Sequence, residues 1–137
     1  MNNMKLIFDA KSENEGFARS VVAAFFAQLN PTVQEIEDVK TAVSEAVTNC
    51  IVHGYEGKQL GTVEVTCTLA DNTMTATIVD FGKGIPDVKK AMEPFFTTQK
   101  NGERSGMGFT VMQAFCDDVQ VTSEQGKTVV TLTKKVD

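Results

Sequence analysis

The stretch SEAVTNCIVHGY, Ser44 to Tyr55, sets a carboxylate, Glu45, one helical turn before an amide, Asn49. At 100° per residue Ile36, Val39, Val43, Val47 and Cys50 fall in one narrow arc and form a core stripe. Glu45 and Asn49 lie far round from that stripe, with Ala42 and Val52 beside them. A purely solvated face is seldom so apolar. Such a second face could hold a ligand, with Asn49 supplying a neutral carbonyl oxygen to a metal and Glu45 supplying a base. Ordinary surface residues could stand at the same places, and the helix alone does not decide.

Two further groups follow in the chain. DFGKGI, Asp80 to Ile85, comes directly after a strand pattern. As chemistry it would be a buried carboxylate with free backbone approach at Gly82 and Gly84. An ionised Asp only accepts hydrogen bonds, so it favours an exocyclic amine such as that of adenine, whereas guanine would meet it acceptor to acceptor. RSGMGF, Arg104 to Phe109, opens a helix with two glycines, and free N–H groups at a helix start suit a phosphate. Both patterns are also common in ordinary turns and caps. No GxxxxGKS or GxGxxG competes for the phosphate role.

In order, Glu-x-x-x-Asn on a helix, Asp-x-Gly-x-Gly after a strand and Gly-x-Gly beyond a loop resemble the N, G1 and G2 boxes of the GHKL ATPase and kinase superfamily. The resemblance covers the whole chain, residues 1–137, as a single nucleotide-binding domain. It implies the Bergerat fold, a two-layer α/β sandwich with helices over one face of a mixed sheet. The phrases VSEAVTNCIVHGY, DFGKGIPD, EPFFTTQ and ERSGMGF are most similar to the anti-sigma factor serine kinases, in particular those of endospore-forming bacteria. Histidine kinases usually carry Lys or Arg where Val52 stands, and they have a separate helical domain with the phosphorylated histidine. Here the sole histidine, His53, is inside the motif, where a capping or structural role is the simpler reading.

The resemblance implies a Mg-ATP-dependent serine kinase that phosphorylates an anti-anti-sigma factor and also binds and inhibits a sigma factor, sigma F of sporulation. It implies a cytoplasmic homodimer with no membrane and no direct nucleic-acid contact. Glu45 would be the catalytic base, adequate because phosphoryl transfer asks mainly for alignment. Asn49 would place Mg²⁺ and touch the nucleotide. Asp80, Gly82, Gly84 and Ile85 would meet the base. Thr97, Thr98, Lys100, Arg104 and Ser105 on a lid, and Gly106, Met107, Gly108 and Phe109 at the helix start, would meet the phosphates. Taken by themselves Met107, Phe109 and Met112 are core residues, and Lys100 and Arg104 are solvated charges. Two alternatives stay open: a nucleotide-tuned sigma-binding module without turnover, and the stress-response counterpart of the kinase. A detached histidine-kinase domain or a hydrolytic ATPase lacks its accompanying domain here.

These groups need a frame. Met4 to Ala10 alternates weakly as a first strand, and Ser12-x-x-Glu15 is a capping-box pattern. Phe17, Val21, Ala24, Phe25 and Gln28 follow at helical spacing until Asn30-Pro31 ends the run. Thr32-x-x-Glu35 opens the helix that carries Glu45 and should reach His53 or Gly54. Gly61 to Leu69 alternates strictly and turns at Asp71-Asn72 into a strand over Thr73 to Asp80. A short helix fits Asp87 to Met92, a longer one Gly106 to Phe115, and Val119 to Ser123 pairs with Thr128 to Thr133 around Gln125-Gly126.

Composition narrows the rest. The 137 residues suit one domain, with 42% apolar and 23% charged residues, as in ordinary globular chains. The longest apolar run, Val21 to Leu29, is too short to span a bilayer, and the first residues lack the pattern of a secretory signal. Net charge −5 disfavours binding nucleic acid by phosphate neutralisation, so any phosphate must be held locally. Cys50, Cys67 and Cys116 show no CxxC spacing and read as small buried hydrophobes.

Overall fold

The computed structural model describes residues 1–55, 61–82, 92, 108–124 and 126–137. Its strands are β1 (Asn2–Asp9), β2 (Thr62–Ala70), β3 (Thr73–Asp80), β4 (Asp118–Glu124) and β5 (Lys127–Lys135). They form one sheet in the order β1-β2-β3-β5-β4. Every pairing is antiparallel, so the expectation of a mixed sheet is corrected. The reason is topological: the chain leaves β3 and returns with the β4–β5 hairpin, which sets β5 rather than β4 against β3.

Period-two patterning decides which face is buried. Val63, Val65, Cys67 and Leu69 on β2, and Met74, Ala76 and Ile78 on β3, all face the core. Asp80 has the same parity as Ile78, so the strand carries a carboxylate into the buried layer, where it is 4% exposed. The β2–β3 turn uses Asp71 at φ 54°, a left-handed position that Asp tolerates better than most residues.

Among the described residues three α-helices cover this face: α1 (Glu13–Phe26), α2 (Val33–Asn49) and α3 (Gly108–Phe115). The expected capping box at Thr32 forms, Thr32 Oγ1 accepting from the Glu35 N–H at 3.1 Å and Glu35 Oε1 accepting from the Thr32 N–H at 2.8 Å. The one expected at Ser12 does not, because Ser12 is helical and its side chain caps nothing. Glu15 turns instead to the Ser44 hydroxyl and to Arg19, 3.7 Å away. On α1 the buried residues are Ala18, Val22, Ala23 and Phe26, whereas Phe17 of the expected stripe is exposed. A run apolar nearly all round hides its inward face from periodicity.

Helix α2 packs between α1 and α3 as well as on the sheet, which is why Ala42 and Ala46 are buried beside Val39, Val43 and Val47. Past Asn49 it widens into a π-helical turn, Cys50–Gly54, within the expected reach of that helix. The short helix expected over 87–92 lies largely outside the described residues, although Met92 itself packs against the core. Cys50 and Cys67 are buried as expected, and Cys116 is half-buried.

Candidate nucleotide-binding site

Among the described residues, Asp80 is one of two buried polar side chains, with Thr128. Its Oδ1 accepts the Gly82 N–H at 3.0 Å, and the buried Cys50 thiol donates to the same carboxylate. Burial raises the Asp80 carboxyl above its ordinary titration point, and those two donors offset part of the rise. Cys50 is raised well above the usual thiol range, first by burial and then by the Asp80 charge beside it. The thiol therefore stays protonated and can donate. Thr128, buried on β5, is the cross-strand partner of Asp80, and its hydroxyl lies 3.3 Å from that of Ser123.

The glycines explain why the π-helical turn matters. A Cβ at Gly54 would lie 2.8 Å from Asp80 Oδ1, so the turn passes directly against the carboxylate. A Cβ at Gly82 would lie 2.0 Å from the Gly54 carbonyl oxygen. Backbone therefore occupies the space of a side chain at 82, a reason for glycine there that its spacing did not reveal. Single π-turns inside α-helices recur at functional sites, and here the wide turn delivers Gly54 to Asp80.

On the neighbouring side, Gly108 begins α3 against Asn49, where a Cβ would lie 2.9 Å from Asn49 Nδ2. The Asn amide is thus brought against the first described turn of α3, and the free N–H groups of a helix start suit a phosphate. Glu45, one turn earlier, borders a cleft of about 290 Å³ with Arg19, Glu37, Lys40, Thr41 and Ser44. Arg19 lines this cleft and pairs with Glu15.

Of the residues singled out in the sequence, the structure brings Asp80 and Gly82 together at the end of β3, with Asn49 and Gly108 at the junction of α2 and α3. Phe109 is buried in the core. Gly84, Ile85, Thr97, Thr98, Lys100, Arg104, Ser105, Gly106 and Met107 lie outside the described residues. Cys50, Gly54, Tyr55 and Thr128 were missed as site residues. Thr128 alone had a legible signal, since it shares the inward parity of Val130 and Leu132.

The donor chemistry fits a magnesium nucleotide. Asn49 offers one neutral oxygen, and a metal that keeps water and phosphate oxygens as ligands needs little more from protein. Among the described residues no group of three His, Cys, Asp or Glu side chains gathers as an all-protein cage. The buried Asp80 offers an acceptor to which an exocyclic amine could donate.

Residues 8–134 match the family described as the histidine kinase-like ATPase domain. The chain is 57% identical over 136 residues to the anti-sigma F factor of Thermoanaerobacter sp. (strain X514), covering 98% of this chain and 94% of that one. It is 56% identical over 135 residues to that of Clostridium botulinum (strain Eklund 17B / Type B), with the same coverage. The chain belongs to the anti-sigma F factor family. Among solved structures, the RsbU and RsbW domains of a Mycobacterium tuberculosis protein match at TM-score 0.71 and 19% identity, over 99% of this chain and 32% of that one. The catalytic domain of histidine kinase ThkA matches at TM-score 0.62 and 13% identity, over 99% and 97%. These two likenesses concern the fold alone. Among the described residues, no helix is long and apolar enough to cross a membrane.

Proposed function

We propose that the chain, acting as one domain over residues 1–137, is an anti-sigma factor with serine kinase activity. In this reading it binds and inhibits a sigma factor, sigma F of sporulation, and phosphorylates a serine of its anti-anti-sigma factor. It works in the cytoplasm as a homodimer, through protein contacts rather than nucleic acid. The names of the relatives support the sigma-factor part.

One observation carries the kinase part. Glu45 and Asn49 stand one turn apart on α2, Asn49 against the start of α3 and Glu45 on an open cleft. A nucleotide held by Asp80 and the α3 start would bring its terminal phosphate beside Asn49, and a partner's hydroxyl could enter along the cleft. Mg-ATP supplies the phosphoryl group and the charge neutralisation that in-line transfer needs. The serine oxygen forms the new bond to the γ-phosphorus, the bond to the β,γ-bridging oxygen breaks, and ADP leaves. Glu45 takes the serine proton. Asn49 orients the phosphate end, and Asp80 fixes the base.

The test is incubation of γ-labelled Mg-ATP with the candidate anti-anti-sigma substrate, comparing wild type with Glu45→Ala. Acid-stable label on the substrate, lost in the variant while ATP binding persists, is the expected result. Tight ATP binding with no transfer by the wild type would sink the kinase reading and leave a nucleotide-tuned binding module.

A further inference from the structure

The last register pair between β2 and β3 is Val63 with Asp80, and just beyond it the strands need an anchor. Tyr55 supplies one from the end of the π-helical turn. Its hydroxyl donates to the Thr62 carbonyl at 2.7 Å and accepts the Phe81 N–H at 2.7 Å. Its own N–H closes the turn onto the Cys50 carbonyl at 3.0 Å. The ring lies over Gly61, whose φ of +127° suits glycine and where a Cβ would come within 2.9 Å of the ring. Two bonds therefore hold the segment after Asp80: Tyr55 grips Phe81, and the Asp80 carboxylate grips Gly82.

We propose that Tyr55 is a positioning residue for base selection, its hydroxyl fixing the backbone at Phe81 so that the Asp80 carboxylate faces an exocyclic amine and rejects a carbonyl. This rests on the reading of Asp80 as the acceptor for adenine. A carboxylate discriminates only while it cannot turn aside, because a movable one lets guanine enter without meeting an acceptor. Freed of Tyr55, the Phe81 peptide can rotate and carry Asp80 with it. A purely structural Tyr55 would tie strand ends and alter stability without altering the preference between bases.

The experiment measures dissociation constants of the full-length chain for Mg-ATP and Mg-GTP, with Tyr55→Phe beside the wild type. The hydroxyl's loss is expected to weaken ATP binding about threefold to tenfold, the usual worth of a lost hydrogen bond, and to shrink the ATP-over-GTP preference by a similar factor. That ratio does not depend on the fraction folded. A variant only partly folded is assayed for both nucleotides at a lower temperature, where the same ratio is read. A selective wild type matched by an equally selective variant overturns this inference alone. A wild type with no preference for ATP overturns the adenine reading of Asp80 and this inference with it.

Discussion

Asn49 and Gly108 meet so closely that only a hydrogen atom fits between them. A Cβ at Gly108 would stand 2.9 Å from Asn49 Nδ2 and 3.2 Å from its Oδ1. The atoms in the way end a flexible side chain, so Gly108→Ala need not break the fold. Alanine also restricts the unfolded chain, which adds roughly 0.4–1 kcal/mol where the native conformation accepts it. What must give is the Asn49 amide. Gly108→Ala is therefore expected to unfold within a few degrees of wild type while losing about tenfold or more in Mg-ATP affinity, or roughly 1.4 kcal/mol. Thermal unfolding and calorimetric titration read the two separately, and unchanged affinity would refute the assignment of Asn49 to the nucleotide.

Asp80 should show the cost of a buried charge. Burial holds its folded titration point above the unfolded one, so the folded chain keeps its proton at pH values where the unfolded chain has already lost it. Its unfavourable contribution is absent below the unfolded titration point and complete above the folded one. Asp80→Asn keeps the shape and an acceptor for the Gly82 N–H without the charge. At pH 7 the variant is expected to unfold at a higher temperature than wild type, and the difference should close as the pH falls below the ordinary Asp range near about 4. Its ATP affinity should drop about tenfold, since a charged acceptor binds an amine more strongly than a neutral one. A variant less stable than wild type at pH 7 would contradict this account.

Those two sites differ in how far the sequence exposed them. Strict alternation along β2 set the buried face, whereas Asp80 was read from its motif and the structure shows that it shares the inward parity of Ile78. The capping box at Thr32 was legible because both partners lie within one turn. The identical spacing at Ser12 misled, because Glu15 finds Ser44, a residue 29 positions away. On α1 the apolar residues ran nearly all round, so only the packing against α2 told Ala18 and Val22 from Phe17. Cys50 and Gly54 could not be read as neighbours of Asp80, since a π-helical turn shifts the helix phase that spacing assumes. Tyr55 escaped for another reason: its partners, Thr62 and Phe81, are backbone groups that carry no mark in a sequence.

Lys134 gives a test of how α3 is held. Its ammonium lies 3.1 Å from Asp38 Oδ2 and donates to the Phe115 carbonyl at 2.7 Å, joining β5, α2 and the end of α3. Eight residues are too few for a helix to stand alone, so α3 depends on packing and on caps such as this one. The two side chains are only 13% and 16% exposed, which takes the pair out of the weak class of surface ion pairs. Lys134→Met keeps most of the stem but leaves the carbonyl and one carboxylate oxygen unmatched, while Asp38 Oδ1 still accepts from Gln34. The expected loss is about 1–3 kcal/mol. Asp38→Asn should cost less in the Lys134→Met background than in the wild type, because the two share one interaction. Denaturant unfolding of the four proteins of that cycle decides it. Additive losses would mean that each side chain acts alone and that α3 is held by its apolar face.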